Sequence, residues 1–348
     1  MRLRHTLIAV SLLAALAGCS ARQDKTPDVV QVREPAPPPT AMVPDAMANF
    51  ARLVSDEWQV TFQSGKSMFH TWHWGPGRHS IRKMTDGSAA SGDPWRALKV
   101  MYWHPGRKQV HVLGVQQFQS GIAEGTITFE GDTADGVYDL HQTGGHRKMA
   151  MRWAFDGPDK YHDTLLETRG FGGYEPINEL THVRSKPPAA PRPRTVDGAT
   201  LSERMKALEP LLGAAWEAKG ERAAGDVFHI RSHFEWVPLA DAVYVRVIAP
   251  SKVDEHLLDA YVYHHTGANV LRCLALSTRG GVYEGDVTVL DDGAMQLDLY
   301  GYETDRVVRN VVRFDFEKDG SLRQRVWTLN GPERTLILDV PHKKLERK

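Results

Sequence analysis

Met295-Gln296-Leu297-Asp298-Leu299-Tyr300 alternates apolar and polar side chains with a period of two. Successive side chains of a β-strand point to opposite faces, so the segment reads as a strand with one buried face and one wet face. Ala242-Val243-Tyr244-Val245-Arg246-Val247-Ile248 is β-branched and aromatic, and Val311-Val312-Arg313-Phe314-Asp315-Phe316 ends in the same alternation. Turn-forming residues separate such runs: Gly75-Pro76-Gly77, Pro105-Gly106, Asp291-Asp292-Gly293 and Asp319-Gly320. Many short strands divided by turns predict a sandwich or a barrel. Hairpins in sequence order favour an up-and-down antiparallel barrel, because closure removes exposed strand edges. The expected class is all-β.

The pattern occurs twice. Phe50–Trp58 parallels Leu208–Trp216, Phe69-His70 parallels Phe228-His229, Gly121–Gly125 parallels Gly281–Gly285, and Trp153–Asp156 parallels Phe314–Glu317. Four matches in the same order and at nearly constant spacing predict a tandem duplication. A proline-rich linker at 186–198 divides the copies, giving domains at 45–185 and 199–345. A short helix is expected before each barrel. Thr200-Leu201-Ser202-Glu203 reads as a capping box, and Pro44-Asp45 plays a similar starting role in the first half.

The N-terminus carries Arg2 and Arg4, then the apolar run Leu7–Leu16, too short to span a bilayer. It ends in Leu16-Ala17-Gly18-Cys19, which resembles the lipobox of bacterial lipoprotein signal peptides. The resemblance implies a signal peptide at 1–18, lipidation of Cys19, and a tether at 19–44 stiffened by Pro35-Ala36-Pro37-Pro38-Pro39. Each buried acyl methylene contributes about 0.8 kcal/mol, so several chains anchor a protein without a membrane-spanning helix. Ser20, where an Asp would favour the inner membrane, points to the outer membrane of the cell envelope, facing the periplasm.

Lys and Arg together number 43, as do Asp and Glu, and no long basic run occurs, so nucleic acid is not an expected partner. Of the two cysteines, lipid takes Cys19 and leaves Cys273 alone. Cys273 lies in Val270-Leu271-Arg272-Cys273-Leu274-Ala275-Leu276 and reads as a buried small hydrophobe. The composition leaves the oligomeric state open.

A short helix, Leu211-Leu212-Gly213-x-x-Trp216 and a β-meander resemble the lipocalin-like (calycin) barrels, and more closely the nitrobindin-type bacterial domains. The resemblance implies two tandem lipocalin-like barrels, each with its tryptophan, Trp58 or Trp216, closing the base beneath the first strand. The second copy departs by one extra residue at Ala214-Ala215, and the first has Ser55-Asp56-Glu57 where the glycine would fall. Nitrobindin-type barrels carry a haem-ligating histidine near the C-terminus of the domain. The resemblance therefore makes His182 and His342 candidate haem ligands, with Arg184 and Lys343-Lys344 beside them.

No standard catalytic motif is present: no nucleophile elbow, phosphate loop or His-Glu-x-x-His helix. His70, Trp72 and Trp74 share one strand face, with His73 on the other; His229 and His233 fall opposite an apolar face and are expected outside. Two histidines without a third ligand do not make a metal site. His104 is matched with His264 across the repeat. The expected function is binding of a small, largely apolar molecule in one or both barrels. A haem barrel, a barrel enzyme using a pocket histidine, and an envelope-interaction protein with filled barrels stand as alternatives. A cavity of several hundred Å³ favours the first, a titratable cluster inside a barrel the enzyme, and packed interiors the last.

Overall fold

The computed structural model describes residues 45–54, 56–92, 94–116, 121–169, 173–186, 203–221, 227–237, 241–251 and 254–345. The signal peptide, Cys19, the tether, the linker beyond Lys186 and most of the capping box lie outside the described residues.

The first half forms one barrel. Its strands are β1 (Glu57–Thr61), β2 (Ser67–Trp74), β3 (Ser80–Ser88), β4 (Pro94–His104), β5 (Gln109–Gln116), β6 (Gly121–Glu130), β7 (Thr133–Gln142), β8 (Gly145–Phe155), β9 (Lys160–Arg169) and β10 (Gly173–Ser185). The second half repeats the plan with β11 (Ala215–Glu221), β12 (Val227–Val237), β13 (Ala242–Ala249), β14 (Glu255–His265), β15 (Val270–Ser277), β16 (Val282–Val289), β17 (Met295–Tyr302), β18 (Val307–Phe316), β19 (Leu322–Asn330) and β20 (Glu333–Leu345). Each set is a closed antiparallel meander: β10 returns to pair with β1, and β20 with β11. The all-β, tandem-barrel expectation is met. Each barrel has ten strands where a lipocalin has eight. Diameter grows with strand number, so each interior is wider and has more space to fill.

Asp45–Ala48 is helical and runs into a 3-10 turn, Asn49–Leu53, that buries Met47, Phe50 and Leu53. Before the second barrel the 3-10 helix Lys206–Leu211 buries Leu208 and Leu211. The paired tryptophans take matching roles under these plugs. Trp58 Nε1 donates to Leu53 O at 3.0 Å, and Trp216 Nε1 donates to Leu211 O at 3.2 Å. Both indoles are fully buried, and each finds the acceptor a buried N–H requires. Away from the contact between barrels, the outer faces carry cross-strand ion pairs such as Arg152–Asp135, Arg309–Asp298 and Arg323–Asp339. Among the described residues no helix is long and apolar enough to cross a membrane.

A third apolar cluster lies between the barrels. Leu98, Val100, Tyr102, Leu113, Val115 and Ile122 of the first pack against Tyr261, Tyr263, Leu274, Leu276 and Val282 of the second. These residues are outward-facing on their strands, so here the apolar face of the alternation meets a neighbouring barrel rather than its own lumen. The contact is nearly two-fold symmetric. His104 and His265 end β4 and β14, and each Nδ1 accepts a backbone N–H of the following turn, from Arg107 at 3.1 Å and Ala268 at 3.0 Å. That fixes the proton on Nε2, which faces a carboxylate of the other barrel: His104 lies 3.7 Å from Glu284, and His265 lies 3.4 Å from Glu124.

The ladders correct two of the repeat matches. His104 corresponds to His265, not His264, since each closes its strand opposite the first residue of the next. His70 corresponds to Ser232, not His229: Trp58 lies opposite His70, and Trp216 opposite Ser232. The mismatch is three residues, and a slip by any odd number exchanges faces, so His70 points inward while His229 points out.

Candidate functional site

The two lumens differ in kind. In the second, Val245 lies opposite Ala260, and both line a wholly apolar void of about 40 Å³ together with Cys273, Leu297 and Val312. That void is far below the several hundred Å³ of a ligand pocket. At the same ladder positions the first barrel places Lys83 opposite Lys99. The strands explain how. Arg82 and Lys83 are adjacent in β3, so one charge must take each face; Arg82 goes out and Lys83 goes in. In β4, Leu98, Val100 and Tyr102 are committed to the second barrel, which turns Lys99 inward between them.

Two histidines complete the cluster. His70 of β2 and His182 of β10 are each 1% exposed, and His182 Nδ1 lies 2.7 Å from His70 Nε2. Tyr161 stacks flat on His182, with ring centroids 4.2 Å apart, and its hydroxyl lies 3.4 Å from His70 Nε2. Asp163 Oδ2 is 3.9 Å from His182 Nε2. One proton arrangement suits all three groups: His70 Nε2–H donates to His182 Nδ1, leaving the proton of His182 on Nε2, toward Asp163. The reverse would aim a lone pair at the carboxylate. Among the described residues, His182 Nε2 and His70 Nδ1 are both buried without a hydrogen-bond partner, so the bonded His182–His70 pair has an open nitrogen at each end, and the one on His182 faces Asp163.

Electrostatics in this interior disfavour positive charge. Burial, reinforced by the charge on Lys99, pushes the Lys83 ammonium down to about 7, with Asp163 acting against it. Lys99 is lowered by burial and raised in part by Asp163. Burial, then Lys83, holds both imidazoles well below their ordinary value. Lys83 Nζ lies 5.3 Å over the Trp72 ring, and the contact of Lys99 Nζ is the Met151 thioether at 3.7 Å. Neither partner neutralises a charge. Lys99 and Asp163 are part-buried and keep some accessible surface. Trp72, Trp153, Met149, Met151 and Leu140 supply an apolar lining.

The sequence-derived candidates separate at this point. His182 belongs to the cluster. His342, its ladder counterpart, is buried and bonds Gln324 Oε1 through Nε2 at 2.9 Å. Haem fits neither position. The His342 Nε2 is taken and the lumen beside it is filled. His182 Nδ1 is taken by His70, and its Nε2 faces Asp163 among lysines rather than the apolar walls a porphyrin needs. His229 pairs with Glu217 at 2.7 Å on the outer face, and His233 is exposed. Cys273 is buried, its thiol pushed up to about 12 by burial, as inert as a small hydrophobe. Lys83, Lys99 and Asp163 escaped sequence reasoning. The available signal was the adjacent charged pair Arg82-Lys83 within a strand.

One further donor set lies between the barrels. Glu124, His141 and His265 place ligand atoms within 4.8 Å of one another. The tautomer argues against a metal there, because His265 Nδ1 accepts the Ala268 N–H and Nε2 keeps its proton for Glu124. Glu124 is also held by Arg272 and Tyr263, and its carboxyl lies lowered to about 2 although burial alone would raise it.

No protein-family model matches this chain, and no curated protein does. Among solved structures, the chain is similar to a protein of unknown function of the DUF3598 family from Nostoc punctiforme PCC 73102. The two share 10% identity over 87% of this chain and 100% of that one, at a TM-score of 0.17. A likeness of that size carries nothing for fold or function.

Proposed function

We propose that the first barrel binds a small molecule with an acidic head and an apolar body, and that the second serves as a filled partner. The observation that carries this reading is the cross-strand pair Lys83–Lys99, two enclosed amines opposite one another with Asp163 as their shared counter-charge. Like charges directly opposite in a sheet are destabilising, and an uncompensated buried charge is more so. A carboxylate or similar anion between the amines supplies the missing charge, while Trp72, Trp153 and the methionines receive its apolar part. Native mass spectrometry of the protein taken from its own envelope tests this. An acidic adduct is expected, lost in Lys83→Met/Lys99→Met. A bare protein that also ignores added medium-chain carboxylates would overturn the reading.

Acid–base catalysis is a second reading, favoured by the bonded His182–His70 pair beside Asp163 and by His70 Nδ1, unpartnered among the described residues. It predicts turnover of the bound molecule that His70→Gln abolishes while binding remains.

We further propose that lipid on Cys19 tethers the barrels to the outer membrane, facing the periplasm; Leu16-Ala17-Gly18-Cys19 supports this. Cys19→Ala should leave the chain unprocessed or soluble. Detergent partitioning unchanged by the substitution would remove the proposal.

A further inference from the structure

A cleft of about 640 Å³ opens beside the contact between the barrels, outside both lumens, and takes its walls from both. On one wall His73 of β2 lies opposite Arg82 of β3; on the other His233 of β12 lies opposite Arg246 of β13. Arg231, two residues before His233 on the same face, adds a third guanidinium, and His256 a third imidazole. Glu235 and Asp254 are the carboxylates of the lining.

We propose that this cleft binds a phosphate-bearing anion, gripped between guanidinium groups contributed by the two barrels. It is separate from the lumen of the first barrel, and its test does not depend on what that lumen holds.

Three observations support the assignment. First, Arg82 is fixed in place. Its Cζ lies 4.1 Å from the Tyr244 ring centroid, and Tyr244 in turn donates to buried Asp259 at 2.5 Å. Asp259 also holds His256 at 2.8 Å, so this carboxylate is already engaged. Second, among the described residues Nε and Nη1 of Arg82 and Nε of Arg231 are buried without hydrogen-bond partners, although Arg231 Nη2 reaches Glu217 at 3.4 Å. Orphaned donors on charged groups are costly, and a forked guanidinium edge matches a tetrahedral oxyanion. Third, the cleft suppresses positive charge on two of its imidazoles, His73 and His233. Burial and then Arg82 lower His73; burial, Arg231 and Arg246 lower His233, opposed by Asp254. An anion among these groups offsets the arginines, so its binding should draw protons onto the imidazoles.

The phosphate could be that of a soluble ester or of a lipid headgroup, and two titrations of the whole protein separate these sources. One adds inorganic pyrophosphate and follows heat in two buffers of different ionisation enthalpy. The other adds phosphatidylcholine vesicles with or without phosphatidylglycerol. Saturable binding of either anion, with proton uptake and about tenfold or greater weakening in Arg246→Gln, is expected. Arg246 is exposed, so that variant should fold as the parent does; Arg82→Gln, at a half-buried position, is the second test. Binding in the vesicle arm alone assigns the phosphate to a lipid. No binding in either arm, binding indifferent to both substitutions, or binding without proton uptake overturns the proposal.

Discussion

Arg82 stacks on Tyr244, its own counterpart in the second barrel. Arg82 lies opposite His73 and Tyr244 opposite Glu235, and each member of one pair is 162 positions from its match in the other. Equivalent positions touch only beside the axis that relates the copies, as in an isologous dimer. The reciprocal pairs His104–Glu284 and His265–Glu124 flank the same axis. The duplicated halves therefore meet as a two-fold dimer would, joined in one chain.

A chain spanning 199–348 should consequently fold but self-associate, because it exposes Tyr261, Tyr263, Leu274 and Leu276. Light scattering should report a dimer or larger species, and Leu274→Lys with Leu276→Lys should restore the monomer. A monomeric parent would mean that this face has little drive to pair.

Trp216→Ala should cost about 3–5 kcal/mol in denaturant unfolding, the usual range for truncating a buried large aromatic. The indole loses its packing under the plug, and the Leu211 carbonyl loses its donor. A loss well under 1 kcal/mol would contradict its place at the barrel base.

Stability should rise with pH between about 7 and the ordinary lysine value. Lys83 titrates at about 7 in the folded protein and near 10.5 when unfolded. In that window the unfolded chain binds the extra proton, so raising pH favours the folded state; below it both states carry the charge and the penalty is complete. Lys83→Met should flatten the trend and stabilise the protein at neutral pH by on the order of 1 kcal/mol. An acidic ligand in the lumen should also suppress the trend. Chemical denaturation across pH 6–10 provides the check, and parallel curves for parent and variant would count against a buried, depressed lysine.

Cys273 should resist thiol reagents in the folded protein and react once it unfolds. Its thiol is pushed up to about 12 and lines the apolar void. Rapid labelling under native conditions would show that the second lumen opens.

Much of the architecture is legible from local pattern. Alternation in Met295–Tyr300 gives strands, Asp319-Gly320 and its like give turns, and the recurrence of Trp58 as Trp216 gives the duplication. Each rests on chemistry within a few residues: the two-residue repeat of a strand, the left-handed tolerance of glycine, the bulk of an indole. Where a face turns is a different matter. Leu98-Lys99-Val100 alternates apolar and charged side chains, and the structure gives the apolar face to the second barrel and Lys99 to the interior of the first.

Local pattern thus gives a duplicated β-meander with a short helix before each copy, and the resemblance adds a tryptophan at each base. That one lumen is charged and the other filled with apolar side chains emerges when the strands close and the barrels meet. Alternation specifies that two faces differ, but burial is collective: which face is covered depends on closure of ten strands and on the neighbour each barrel meets. The bonded histidine pair shows the same limit. His70 and His182 stand 112 residues apart in the chain and 2.7 Å apart in space, brought together because β10 returns to β1 beside β2.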